Sequence, residues 1–176
     1  MTEAIDRWAD IFRHAQRHPV GSPSIRLTES DPLASLREVV VDGIDEHTVV
    51  VHLHSRRMVC QDLSDTDGIQ SRCDYLILQP APDGIHVMFI EMKSGNVDRQ
   101  RIERQFKASK CLLRYCQELL KEFHGLDNQT HCRFIVFYRA PSIAKRPTIP
   151  QPRPASSPQD PEVIAYQGPV RLRRLR

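Results

Sequence analysis

"VMFIEMKSG", residues 87–95, is the stretch on which the reading of this chain turns. An apolar run ends on an acid and a base two places apart, followed by a small residue and a glycine. Side chains of a strand alternate between faces with a period of two, so Val87, Phe89, Glu91 and Lys93 share one face. Glu91 and Lys93 therefore project together, at the end of a strand apolar enough to lie inside a sheet.

The preceding strand, "RCDYLILQ" (72–79), holds a single acid, Asp74. "PAPDG" (80–84) joins the two runs, and its Pro and Asp-Gly are turn formers. A hairpin centred between Pro82 and Asp83 leaves Asp74 and Glu91 equidistant from the turn, hence opposite each other on one face. Directly opposed residues have Cβ atoms about 4.5–5.5 Å apart. Two carboxylates that close need a shared proton, a cation or a route to solvent. An oxygen-loving divalent ion such as Mg²⁺ fits both charge and ligand type. Lys93 could then orient or deprotonate a water, or stabilise an anion developing at phosphorus. The plainer alternative is a Glu–Lys pair at a solvated strand end, with Asp74 elsewhere.

Outward from this centre, residues 98–124 form the longest expected helix. Ile102, Phe106, Leu113, Cys116, Leu120 and Phe123 make its apolar stripe, and Gly125 its C-cap. "CRFIVFYR" (132–139) reads as a central buried strand. Upstream, Ile5, Trp8, Phe12 and Ala15 predict a helix over 3–17, with Thr2 as N-cap and Pro19 beyond its end. Residues 31–36 suit a short helical turn. "REVVVDGIDEHTVVVHLH" (37–54) predicts a hairpin of two valine-rich strands, and 56–71 a polar loop. The composition changes after Arg139: residues 140–161 hold seven of the thirteen prolines, which predicts extended linker. Residues 162–176 could add an edge strand, remain a basic nucleic-acid arm or a solvated tail, or dock a partner through Leu172 and Leu175. The expected division is a domain over 1–139 and an extension over 140–176.

The formal net charge of +3 is uneven, because residues 140–176 carry seven Lys and Arg against two acids. Such a tail suits nucleic acid. No stretch approaches the ~20 apolar residues of a membrane helix. The start, "MTEAIDRWADIF", lacks the basic and apolar regions of a signal peptide, so the expected compartment is the cytoplasm. The five cysteines, Cys60, Cys73, Cys111, Cys116 and Cys132, show no CxxC spacing and are expected to be buried free thiols.

"CDYLIL…FIEMKSG", followed by a helix bearing "RQF", resembles the PD-(D/E)XK nuclease superfamily, of restriction-endonuclease-like fold. The resemblance spans about residues 39–139 and lies in motif and element order. It implies an α/β core with a mixed sheet flanked by helices. It implies that Asp74 and Glu91 hold Mg²⁺ (or Mn²⁺ in its place), that Met92 gives its main-chain carbonyl to the ion, and that Lys93 is the catalytic lysine. The implied reaction is phosphodiester hydrolysis in nucleic acid, DNA before RNA, leaving a 5′-phosphate and a 3′-hydroxyl. Defence against foreign DNA and DNA repair are settings it suggests. Cys73 stands where the motif's name has Pro. Many members carry a further acid on the first core helix, for which Glu3, Glu29 and Glu38 compete here.

Gln105 borders the helix stripe; a Gln in the corresponding helix lies close to the site in several branches, and a partly exposed helical Gln is an equal alternative. Arg104, Lys107, Lys110 and Arg114 fall at spacings of three and four, and with Arg99 and Arg101 make the helix's first half basic. As a cluster they suit phosphate contact, although any solvated helix face is charged. Asp62, Asp65 and Asp67 lack the spacing of a calcium loop. His52 and His54 share a strand face, more often an ordinary arrangement than a metal site. Tyr115 and Trp8 are expected in the core. Two other readings compete with the nuclease. One is a non-catalytic accessory subunit that binds nucleic acid or protein. The other is an unrelated α/β domain with a surface salt bridge. A protein partner or a second copy is compatible with each.

Overall fold

A computed structural model describes residues 2–12, 15–17, 22–53, 66–95, 98–139 and 156–175. Helix α1 spans Thr2–Ile11, and the strands are β1 (Ala15–Arg17), β2 (Ser24–Thr28), β3 (Glu38–Asp42), β4 (Val49–His52), β5 (Tyr75–Ala81) and β6 (Gly84–Lys93). Helix α2 (Arg99–His124) precedes β7 (Thr130–Tyr138), β8 (Glu162–Ala165) and β9 (Val170–Arg171). Six strands form a mixed sheet in the order β1-β4-β5-β6-β7-β8, and three form a smaller sheet in the order β2-β3-β9. β6, β7 and β8 run parallel, while β1, β4, β5 and β6 alternate. The class is α/β with a mixed sheet. No described helix is long and apolar enough to cross a membrane.

The faces of the large sheet have different covers. One face takes both helices: Trp8, Phe12, Ile102, Phe106 and Leu113 pack over Leu76, Leu78, Val87 and Phe89. Phe89 stacks on Phe134 at 4.6 Å between centroids, and Phe106 meets Phe134 edge-on at 5.4 Å. The other face takes the small sheet, where Leu27, Val39, Val41 and Leu172 pack over Ile77, Met88, Ile90 and Phe137.

The expected 37–54 hairpin is not formed. β3 pairs with β2 and β9, and β4 pairs with β1 and β5. Their burial separates them: β3 alternates, hiding Val39 and Val41, whereas Val49, Val50 and Val51 of β4 are all buried. A strand with one solvated face suits an outer layer, and a fully apolar one needs cover on both faces. The expected first helix is also too long. It ends at Ile11, and residues 15–17 pair with β4 as an edge strand; Thr2 lies within the helix rather than before it. Residues 31–34 close a single turn (Ala34 N–H to Asp31 O, 3.0 Å) without a helix.

Helix α2 forms within a residue of expectation. Asp98 caps its start by accepting from the Arg101 N–H (3.1 Å), and Gly125 ends it at φ 65°. Phe123 does not belong to the buried stripe, being 76% exposed in the last turn, and Tyr115 is exposed as well. Cys73 and Cys116 are buried, Cys132 is half-buried and Cys111 is exposed, all four as free thiols. Cys60, His54, Asp62, Asp65 and the segment 140–155 lie outside the described residues, as do the side chains of Glu3 and Asp67.

For residues 162–175 the structure takes the edge-strand alternative. β8 extends the large sheet beside β7, with Arg133 and Glu162 paired at 2.7 Å. β9 joins the small sheet, and Leu172 and Leu175 are fully buried. Leu172→Ala is therefore expected to cost about 2–5 kcal/mol of stability in urea titration. A freely moving arm would give less than about 0.5 kcal/mol.

Candidate metal centre

The turn at Pro82–Asp83 sets the register that builds the site. Ala81 pairs with Gly84, and the ladder continues to Tyr75 with Ile90. The ladder stops there: Asp74 lies one residue before β5, and Glu91 follows Ile90 on β6, near enough for its charge to act on Asp74. The Asp74 carbonyl is drawn the other way, accepting from the Leu53 N–H at 2.8 Å. Its carboxylate turns back toward β6, where Oδ2 accepts from the Met92 N–H at 2.6 Å. A strand residue presents its N–H and C=O to the same edge. The Met92 carbonyl therefore faces the end of β5, on Asp74's side.

Glu91 is 1% exposed. Its Oε1 accepts from Lys93 Nζ and from Gln105 Nε2, the latter at 2.9 Å. Gln105 is buried on α2, and its Nε2 also donates to the Arg72 carbonyl at 2.9 Å. Lys93 Nζ lies 3.5 Å from Gln105 Oε1. Ser109, which sequence reasoning passed over, fixes the helix to the strand. It accepts from the Cys73 N–H (2.9 Å) and donates to the Gln105 carbonyl (2.8 Å). Its signal was a hydroxyl four residues after Gln105, inside the apolar stripe.

Glu91 Oε2 is buried and has no hydrogen-bond partner. A buried carboxylate oxygen without a donor is costly. The electrostatics carry the same message. Burial pushes the Asp74 carboxyl up to about 8, and the neighbouring Glu91 adds to the rise; the Met92 N–H and Lys93 oppose it. Burial likewise raises Glu91, against the pull of Lys93, Gln105 and Arg101. Glu29 also acts on Asp74 with a raising charge. Of the three acids weighed for a further ligand, Glu38 is instead paired with Arg26 at 2.8 Å. Glu29 follows β2 rather than lying on a helix, and only the small sheet carries it toward Asp74.

Among the described residues, no group of three or more His, Cys, Asp and Glu side chains could hold a metal ion. The protein donors on offer are the Asp74 carboxylate, Glu91 Oε2 and the Met92 carbonyl. That set fits Mg²⁺, which is commonly held by one or two carboxylates with water and substrate phosphate completing its shell. It would not fit an ion that demands a closed cage of side chains.

The expected basic face does not converge on this centre as a unit. Arg101 is near enough to lower Glu91, and Arg104 lies against the turn at Thr66–Gly68. Lys107 pairs with Glu103 at 2.7 Å. Lys110 sits 5.9 Å from the Phe134 ring centroid, and with Arg114 it acts on the Cys132 thiol toward β7. His52 stacks on Tyr75 at 4.4 Å.

A raised acid has a defined linkage sign. The unfolded chain ionises Asp74 near the ordinary carboxylate value, and the folded chain only near about 8. Stability is therefore full at low pH and falls as pH rises toward about 8. In EDTA, the urea midpoint should drop between about pH 5 and about pH 9, and Asp74→Asn should flatten that slope. Equal slopes in the two proteins would contradict the assignment.

No family model, no curated protein and no solved structure matches the chain.

Proposed function

We propose that this protein is a metal-dependent nuclease of the PD-(D/E)XK type, with a restriction-endonuclease-like core, that hydrolyses phosphodiester bonds in DNA. The observation that carries the reading is the linked set Asp74–Glu91–Lys93–Gln105, buried at Glu91 and Gln105 and half-buried at Asp74 and Lys93, with one glutamate oxygen left without a donor. A surface salt bridge would not be 1% exposed at its acid, nor would it need a helix glutamine to hold it.

Asp74, Glu91 and the Met92 carbonyl would hold Mg²⁺ or Mn²⁺. The ion, when bound, supplies positive charge at the phosphate and lowers the pKa of a water. Gln105 holds Glu91 in place, and Ser109 holds Gln105. Lys93 keeps an ammonium group beside the carboxylates, where it can orient the attacking water or stabilise charge at the phosphorus. Arg101 and Arg104 stand at the start of α2 for the neighbouring phosphates, and Lys107, Lys110 and Arg114 extend a basic track away from the centre.

The test is cleavage of plasmid, linear duplex, single-stranded DNA and RNA by purified protein, in Mg²⁺, in Mn²⁺ and in EDTA. The expected result is DNA cleavage that needs the cation and disappears in Lys93→Met. A wild type that cuts nothing the variant spares would end the enzyme reading and leave the non-catalytic accessory subunit.

A further inference from the structure

Five large apolar side chains are exposed among the described residues: Leu33, Ile69, Tyr115, Phe123 and Val163. Singly exposed aliphatics are ordinary. Two of these, however, sit on hydrogen-bonded turns at the end of the sheet where Asp74, Glu91 and Lys93 lie. One turn comes from each face of that sheet.

Leu33, 91% exposed, tips the turn between β2 and β3. This turn is fastened to the residue that follows Lys93: Ser35 Oγ donates to the Ser94 carbonyl (2.6 Å), and Ser94 Oγ accepts from the Leu36 N–H (3.1 Å). Two exposed arginines brace it, Arg37 on the Pro32 carbonyl (2.5 Å) and Arg139 on the Ser35 carbonyl (2.6 Å). Its acids accept from the turn's own backbone, Glu29 from the Asp31 N–H and Asp31 from the Leu33 N–H. Ile69, 50% exposed, tips the turn that leads into Asp74. Arg72 donates to the Ile69 carbonyl (2.7 Å), and the Arg104 side chain lies against Gly68.

A chain held by this many bonds could turn an aliphatic side chain inward, and here it holds two outward. A pre-ordered apolar tip beside guanidinium groups loses little entropy on binding. Its natural counterpart is a ligand with phosphates at the edge and flat apolar faces between them. Leu and Ile are among the residues that nucleic-acid-binding proteins insert between bases as wedges.

We propose that Leu33 and Ile69 are base-contacting residues that pack against bases unstacked on either side of the scissile phosphate. The preferred substrate is then a strand whose bases part easily, single-stranded or locally distorted, rather than uniform duplex. The proposal rests on the nuclease reading for its placement, and its test separates the two.

The parent for binding is full-length Glu91→Gln, titrated with oligonucleotides carrying 2-aminopurine, single-stranded and duplex. Leu33→Ala and Ile69→Ala are introduced singly and together. Burying a leucine is worth about tenfold or more in affinity. Each single change should weaken single-strand binding about tenfold, abolish the 2-aminopurine fluorescence rise, and leave duplex binding and melting temperature nearly unchanged. Leu33→Met should retain binding. Unchanged affinity and fluorescence in the double variant would overturn the proposal while leaving the nuclease reading intact, provided the wild type cuts. Tip-dependent binding by a wild type that does not cut would support the tips and overturn the enzyme. A parent that binds no nucleic acid overturns the tips, and together with a wild type that does not cut it overturns the enzyme as well.

Discussion

Glu91→Gln should reduce cation-dependent cleavage by about 10²–10³-fold or more and still give a folded protein whose unfolding midpoint, in EDTA, is no lower than wild type. The two halves of this result come from one feature. The glutamate is fully buried, its Oε2 finds no donor, and burial raises its pKa. A residue chosen for stability would not be an acid there; the neutral isostere keeps the shape and removes the buried charge. The partner left behind, Lys93, has a side chain 18% exposed and can turn to water. The reverse change behaves differently. Lys93→Met should also abolish cleavage, but it leaves Glu91 buried without its cation and should lower the midpoint. Activity is read from initial rates on DNA in Mg²⁺, stability from urea titration. A Glu91→Gln protein that cuts at the wild-type rate, or one that unfolds far more easily, would show that the carboxylate serves the fold.

Gly84→Ala should cost about 3 kcal/mol or more of stability. Gly84 opens β6 at φ 138°, a region that side chains rarely enter, and an added Cβ would lie 2.4 Å from the Gln129 carbonyl oxygen. That oxygen is already engaged by the Ile85 N–H at 2.9 Å, where β7 joins β6. The clash is with backbone, so no rotamer relieves it. Gly43→Ala is the control: its φ is also positive, at 78°, but nothing lies within 4 Å of the new Cβ. It should cost about 1–2 kcal/mol through strain alone. Gly84→Ala should also lower activity in whatever fraction stays folded, because the same turn sets the β5–β6 register that brings Asp74 near Glu91. Urea titration of both variants against wild type decides the matter, and equal losses would refute the contact with Gln129.

What was legible in the sequence was local. The β5–β6 register follows from the position of one turn, and the α2 limits follow from Asp98 and Gly125, so Asp74, Glu91, Lys93 and Gln105 could be named together. What was hidden depended on distant partners. Two valine-rich runs beside Gly43 look like a hairpin, and nothing within them says that one joins the small sheet and the other the large. Phe123 keeps the helix stripe but overruns the surface that the stripe covers. Glu29 could not be preferred to Glu38 because the small sheet, itself assembled from β2, β3 and the distant β9, is what orients both. Leu172 read as a docking residue of the basic arm, and only the placement of β9 shows it in the core. Spacing grouped the basic helix residues on one side, but spacing alone did not show that Lys110 and Arg114 lie toward β7.

The central claim is that Asp74 and Glu91 together hold one divalent cation. Mn²⁺ titration followed by electron paramagnetic resonance tests it without relying on turnover. Wild type and Lys93→Met should bind Mn²⁺ saturably, and both Asp74→Asn and Glu91→Gln should lose that binding. Binding that survives in those two variants, or that is absent from the wild type, would contradict the claim.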